Sequence, residues 1–350
     1  MIGTEFLKGQ GLGNQLFCYV TARAIASKKG VLFGTAGRNR FGYNIHNEQG
    51  MYFMDIDLGH NIEDSEIHNF TRYDEADERL YLGTFHDLKH GCYISGADEK
   101  MKQVDDGTLL YGNMQDESYF ADYYDELKSW LRVRKEYDCY EYSRENLCIL
   151  NMRGGEYFEQ AEFTLRRNYW LGGMRKMRTI RADMEFMIIT DDPLSANKIL
   201  PEIPAYHFDI AKDFTIIKNA YYLLLSNSSF ACMPAFLSET AKYIIAPKYW
   251  GRYNGSNGYW CSEQNIYRDF HYMDRKGRIF SSSRCRKELN EYKKNSPLYR
   301  KVNQYPKGLS LIAKKIHAYL IHGEFWLIRV CYSLRRRLRS VMGIAARKPQ

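Results

Sequence analysis

Leu147-Cys-Ile-Leu-Asn-Met-Arg-Gly-Gly-Glu-Tyr157 is the stretch on which the reading of this chain turns. The apolar run Leu147–Leu150 has the length and composition of a strand buried on both faces. Where that strand should end stand one arginine, two glycines and one glutamate. Ligands of α/β proteins bind at the carboxyl ends of strands. Arg153 can grip a phosphate there with its planar fork of donors. Gly154 and Gly155 allow close backbone approach, and Glu156 can take a proton or pair with Arg153 and hold it.

Downstream of this loop the pattern is regular. Tyr169–Thr179 reads as a basic helix with Trp170, Met174 and Met177 on its apolar side. Phe186–Thr190 is a buried strand ending in Asp191-Asp192-Pro193. A strand near 205–210 follows, then a helix with Asp213 as its candidate cap and Ile216, Ile217 and Ala220 on one face. Tyr222–Ser226 and Lys242–Ala246 are the next strands, separated by Asn227-Ser228-Ser229-Phe230 and a helix. Pro234 sits poorly inside a helix, so that helix is expected to start near it, with Ser228 and Ser229 in the preceding loop. Strands alternating with helices of this length imply a parallel, doubly wound sheet. Such a sheet gathers Arg153 with Glu156, Asp191 with Asp192, and Asn227–Ser229 on one rim. Asp191 and Asp192 have three readings: a nucleotide contact, a helix start before Pro193, or a metal pair. The segment Ala246–Trp260 is aromatic and glycine-rich, suited to a substrate-side loop or a structural cover.

Upstream, residues 2–7 look like a first strand. Gly9-Gln-Gly11-Leu-Gly13-Asn14-Gln15-Leu16-Phe17 is a glycine turn, and Leu16, Phe17, Val20, Ala24 and Ile25 repeat at helical spacing after it. Amides at that helix start can bind an anion; a tight turn with no ligand is the alternative. A nicotinamide-dinucleotide fingerprint is disfavoured, because Leu16 replaces its third glycine and no acidic residue ends the second strand. Residues 40–80 are acidic loops in which Asp55 and Asp57, followed by His60, read as solvated carboxylates, with a metal pair as the alternative. Leu109–Phe120 reads as a strand end and loop. A helix with Phe120, Tyr124, Leu127 and Leu131 on one face is expected next, and a domain boundary near residue 145.

Charge divides the chain unevenly. Residues 275–350 hold 20 Lys/Arg against 3 Asp/Glu, a net +17, leaving −9 for residues 1–274 of a chain whose total is +8. The second tail helix, from about Phe325 to Met342, sets Leu327, Cys331, Leu334, Leu338 and Val341 against Arg329, Arg335, Arg336, Arg337 and Arg339. With the helix over 309–321, this reads as a cationic amphipathic surface for an anionic membrane across residues 309–342, or as a helix packed on the body with a solvated basic face. No nucleic-acid module accompanies the basic residues, so no nucleic acid is expected. The eight cysteines show no C-x-x-C pair and the nine histidines no H-x-x-x-H, so no metal site is expected. Buried free thiols, no signal pattern and no 18-residue apolar stretch suggest a cytoplasmic protein, peripheral on the inner face of a membrane.

Gly11-Leu-Gly13-Asn14-Gln15-Leu-Phe17, the Gly112…Gln115…Tyr119-Phe120 patch and Ser226-Asn-Ser-Ser-Phe230 together resemble the α-1,2-fucosyltransferases, glycosyltransferase family 11. The matching order spans residues 9–250 and leaves the tail outside. The family's central His-x-Arg-Arg-Gly-Asp reads here Asn151-Met-Arg153-Gly154-Gly155-Glu156, so only the first arginine is kept and the chain resembles a divergent member. The resemblance implies an α/β fold of two Rossmann-like domains (GT-B type) facing a cleft. An acceptor-side domain over 1–145, a nucleotide-sugar domain over 146–300 and the basic helical tail over 301–350 would follow. It also implies inverting transfer from GDP-fucose to a hydroxyl of a glycan acceptor, without metal or other cofactor. Arg153 and Glu156 are the candidate catalytic residues. Gly11, Gly13, Asn14, Gln15, Arg153, Asp191, Asp192, Asn227, Ser228 and Ser229 are the candidate donor contacts. A catalytically silent homologue that binds glycan or nucleotide, and a transferase for another nucleotide sugar, are the alternatives.

Overall fold

The strand predicted from the apolar run Leu147–Leu150 forms over Leu147–Met152, and every one of its six residues is buried. It lies in a computed structural model that describes residues 1–43, 47–75, 79–81, 96–155, 157, 164–250, 265–295 and 299–301, with isolated helical positions between 308 and 334. The strands of the first half are β1 (Ile2–Glu5), β2 (Phe33–Ala36), β3 (Met54–Asp55), β4 (His60–Ile62), β5 (Thr71–Asp74), β6 (Arg79–Tyr81), β7 (Thr108–Tyr111) and β8 (Arg132–Val133). Those of the second are β9 (Leu147–Met152), β10 (Glu185–Thr190), β11 (Ala205–Tyr206), β12 (Tyr222–Leu225), β13 (Tyr243–Pro247), β14 (His271–Met273), β15 (Ile279–Ser281) and β16 (Tyr299–Lys301). The helices are α1 (Leu12–Lys29), α2 (Leu127–Trp130), α3 (Arg167–Ile180), α4 (Pro193–Ile199), α5 (Ile210–Lys218), α6 (Ser229–Phe236) and α7 (Ser282–Asn295).

Two parallel sheets result, and the fold is mixed α/β. The first has the order β4-β2-β1-β7-β5, the second β11-β10-β9-β12-β13-β14-β15. Only the β14–β15 pair of the second sheet is antiparallel. The strands of the first sheet all precede residue 112, and those of the second all follow residue 146. β9 is central because alternate side chains serve opposite layers. Cys148, Leu150 and Met152 pack with Trp170, Met174 and Met177 of α3. Leu147 and Ile149 join Phe214 and Ile217 of α5 and Ala231 and Met233 of α6. That second layer continues without a break into Leu16, Phe17 and Val20 of α1. The two sheets therefore share one hydrophobic layer, built where α1 meets α6.

Helix ends obey local chemistry. Gly30 closes α1 with φ 65°, its N–H reaching the carbonyls of Ala26 and Ser27. Asp192 caps α4 by accepting from the Ser195 amide at 3.0 Å, with Pro193 in the first turn.

Three expectations are corrected. The helix through Phe120–Leu131 is instead two 3-10 turns, Glu117–Tyr119 and Ala121–Tyr123, followed by the four-residue α2. Asp116 takes the Ser118 amide at 2.9 Å and opens the tighter turn. The cap of α5 is Asp209, whose carboxylate accepts from the Lys212 amide, and Asp213 lies inside the first turn. Helix α6 starts at Ser229 and carries Pro234 within it. Its proline nitrogen falls at the sixth helical position, so one backbone bond is forgone in an otherwise buried apolar helix.

Later segments of the chain cross back to the first half. Tyr299–Lys301 of β16 pairs antiparallel with Arg79–Tyr81 of β6, and Arg286 of α7 pairs with Glu117. Among the described residues no helix is long and apolar enough to cross a membrane.

Candidate functional site

The carboxyl edge of the second sheet is built from the ends of β9, β10 and β12. Arg153, first residue past β9, forms an ion pair through Nη1 with Asp191 Oδ2, first residue past β10. The other oxygen, Asp191 Oδ1, accepts from the Gly154 amide at 2.6 Å. The pair is partly open to solvent, 22% for the Arg153 side chain and 11% for Asp191. Arg153 also lies over the Tyr157 ring, 5.6 Å from its centroid.

Behind this pair runs a polar strut. The Arg153 amide donates to Ser226 Oγ at 3.2 Å, and Ser226 Oγ donates to Asn151 Oδ1 at 3.0 Å. Asn151 Nδ2 reaches the Ile189 carbonyl at 3.5 Å. These bonds tie β9, β10 and β12 together at the depth where their side chains leave the core, and Asn151 and Ser226 are both buried. Buried polar groups in a low-dielectric site are costly unless paired, so the strut fixes where Arg153 emerges. The sequence reading passed over Ser226 and Asn151 as site residues. Their signal was the polar interruption, Asn151 and Ser226, at the end of otherwise apolar strands.

The Ser226–Phe230 turn leads into α6 and meets the start of α1. Ser228 precedes α6 without a side-chain cap bond, and its carbonyl accepts the Ala231 and Cys232 amides. A Cβ added at Gly13 would overlap the Ser229 carbonyl and the Phe230 amide nitrogen. The absent side chain thus lets the first turn of α1 rest on the first turn of α6. Gly11 is the residue before α1, in extended conformation, and a Cβ there would meet nothing. Asn14 Oδ1 accepts from Gln115 Nε2 at 2.8 Å, and Gln115 Oε1 accepts from Asn265 Nδ2 at 3.1 Å. Gln15 is fully buried and holds a neighbouring loop: it donates to the Arg40 carbonyl and accepts from the Gly42 amide. Asn227 is buried in the turn itself.

The carboxyl edge of the first sheet carries a different carboxylate. Glu75, first residue past β5, accepts at Oε2 from the Asn113 and Met114 amides at 2.9 and 2.8 Å, and at Oε1 from the Tyr119 hydroxyl at 2.8 Å. It is 7% exposed. Burial pushes its carboxyl up to about 7, against the lowering effect of those bonds. It clamps a tight loop in which Met114 has φ 49°.

The expected residues are thus gathered in part. Arg153, Asp191 and the Asn227–Ser229 turn share one edge, and Gly13 touches that turn. Asp192 serves as the α4 cap. Glu156, and residues 251–260 of the aromatic loop, lie outside the described residues. Its first part ends in Tyr249 and Trp250, both with positive φ, at 69° and 42°. No group of three metal-ligating side chains occurs among the described residues. Cys18, Cys148, Cys232 and Cys285 are free and buried, and burial pushes the Cys18 and Cys285 thiols up to about 12.

Among solved structures, the α-1,6-fucosyltransferase NodZ soaked with GDP-fucose superposes with a TM-score of 0.41 and 12% identity, over 68% of this chain and 92% of NodZ. POFUT1 in complex with GDP-fucose gives 0.43 and 9%, over 70% of this chain and 98% of that one. S. aureus MnaA with UDP gives 0.36 and 12%, over 91% and 97%. No protein-family model matches the sequence, and no curated protein does. Overlaps this loose assign no site or substrate to this chain, whose chemistry has to come from its own residues.

Proposed function

We propose that the chain is an inverting, metal-independent glycosyltransferase of the two-domain GT-B type. It would move fucose from GDP-fucose to a hydroxyl of a glycan acceptor in surface polysaccharide synthesis. The observation that carries this reading is one continuous contact path. It runs from Asp191 through Arg153 to Ser226, along the Ser226–Phe230 turn, and onto Gly13 at the start of α1. It joins the Gly11–Phe17 and Ser226–Phe230 motifs of the fucosyltransferase resemblance to the Arg153 loop.

The chemistry suits those groups. An acceptor oxygen attacks the anomeric carbon from the face opposite the diphosphate, which departs with growing negative charge. Arg153, the Ser228 and Ser229 hydroxyls and the amides opening α1 and α6 would stabilise that charge. Asp191 orients the guanidinium, and would exchange part of its pairing for the phosphate when donor binds. Tested with a panel of nucleotide sugars, the protein should release GDP from GDP-fucose, unaffected by EDTA. A strict Mn²⁺ or Mg²⁺ requirement would defeat the metal-independent mechanism.

The Arg153–Asp191 pair also favours a second reading, a silent homologue that binds nucleotide without turnover, because the guanidinium is already engaged. GDP binding with no turnover of any donor would establish it.

The tail would hold the enzyme at the inner face of an anionic membrane. In support, Leu309, Ile312, Ile316 and Leu320 occupy helical positions on one face and are 54–84% exposed, beside a strongly basic sequence. Removal of residues 302–350 should abolish sedimentation with phosphatidylserine vesicles and leave GDP binding intact. Equal sedimentation of both forms would refute the anchor.

A further inference from the structure

We propose that His207 is the proton acceptor of the transfer, positioned by Asp213, an inference that rests on the glycosyltransferase reading. His207 follows β11, whose Ala205 and Tyr206 pair with Ile188 and Ile189 of β10. The next step of that register sets His207 beside Thr190, one residue before Asp191. The histidine thus joins the same carboxyl edge as Arg153.

Its ring is held as a base should be. Nδ1 lies 2.8 Å from Asp213 Oδ2. Asp213 is 6% exposed, and its other oxygen accepts the Phe208 amide at 3.1 Å. A carboxylate already accepting a backbone N–H takes the Nδ1 proton as a second hydrogen bond, which fixes the tautomer and turns the Nε2 lone pair outward. The ring is 37% exposed, and no described residue bonds Nε2. The charged groups acting on it are Asp213, Asp191 and Asp209, all acidic. The hydrogen bond that Nδ1 donates to Asp213 leads in holding the imidazole above its ordinary range, with the charges of Asp213, Asp191 and Asp209 adding to it. Asp209 in turn accepts at 3.0 Å from the Tyr52 hydroxyl, which comes from the first half of the chain. The dyad therefore stands at the seam between the halves, where an acceptor would meet a donor bound at Arg153.

In the step assigned, Nε2 takes the proton of the attacking hydroxyl as its oxygen bonds to the anomeric carbon. The bond from that carbon to the diphosphate oxygen breaks, and its electron pair leaves with GDP. The proton passes from His207 to solvent.

The test is GDP release from GDP-fucose by the full chain, with water as acceptor, between about pH 5 and 9, beside GDP binding by calorimetry. The wild-type rate should rise with pH to a plateau, with a midpoint above about 6.5. His207→Gln should lower the plateau by about 100-fold or more and flatten the profile, with GDP affinity unchanged. Asp213→Asn should shift the midpoint to lower pH. A His207→Gln enzyme with the wild-type rate and profile would overturn the assignment and leave the transferase reading standing. A wild type that binds GDP yet turns over no GDP-sugar would sink both.

Discussion

Each sheet ends in a carboxylate next to a glycine-bearing loop, and the two are used in opposite ways. In the first sheet Glu75 is closed in: three donors of its own fold hold it, and burial raises its carboxyl to about 7. In the second sheet Asp191 pairs with a cation, Arg153, that keeps a solvent-facing side. A buried carboxylate held by two backbone amides and a tyrosine hydroxyl stabilises a loop and faces its own fold. One paired with a partly exposed arginine can give up that pairing when an anion arrives. The same position in two parallel sheets thus yields a structural clamp on one side and a candidate site on the other.

Arg153→Ala tests the comparison at its strongest point. GDP release should fall by about 10²–10³-fold while the melting temperature holds. Near-normal turnover would move the chemistry away from this edge.

Glu75→Gln should act on stability alone. The folded state binds the Glu75 proton more tightly than the unfolded chain does. This carboxyl therefore favours folding most below about pH 4.5, and that contribution is lost as pH rises through about 7. The loss is on the order of 3 kcal/mol. Urea unfolding of wild type should show that decline, and the glutamine variant should lack it while binding GDP normally. A loss of GDP affinity in Glu75→Gln would make the first edge part of the site.

Gly13→Ala probes the place where the two edges touch. Alanine gains about 1 kcal/mol of helix propensity over glycine, but its Cβ would strike backbone of Ser229 and Phe230 that cannot rotate away. The clash should win, with a net loss of about 1–3 kcal/mol; a stabilised variant would show that the helices can part. The smallest effect is expected for Gln115→Ala, which cuts the bridge from Asn14 to Asn265. About 1 kcal/mol of stability should go, with little change in turnover.

Most strands and helices of the second sheet were legible in the sequence, because apolar runs bounded by polar strand ends are a local signal. Leu147–Met152 and Glu185–Thr190 fall within a residue of their expected limits. Legibility failed where tertiary packing replaced periodicity. Tyr119, Phe120 and Leu127 each enter the core, yet from 3-10 turns and a short helix, so helical spacing misread them. At the site, Arg153 was visible as a lone cation at a strand end. Ser226 and Asn151 were not, since a polar residue after an apolar run looks the same whether it faces solvent or braces a neighbouring strand. Asp213 reads from the sequence as the cap, a place that Asp209 takes, and its pairing with His207 is not legible there at all.

Composition and order alone determined the alternation of strands and helices, the parallel sheets that follow from it, and the division between an acidic body and a basic tail. These depend on hydrophobic period and charge, which each segment carries by itself. Tertiary structure alone decided that Asp191 reaches Arg153 while Asp192 caps a helix, and that Gly13 admits α6. It alone decided that Glu75 is closed in and that His207 stands at the seam. Those outcomes depend on the register between strands and on the distance between helix starts, and neither is written in any single segment.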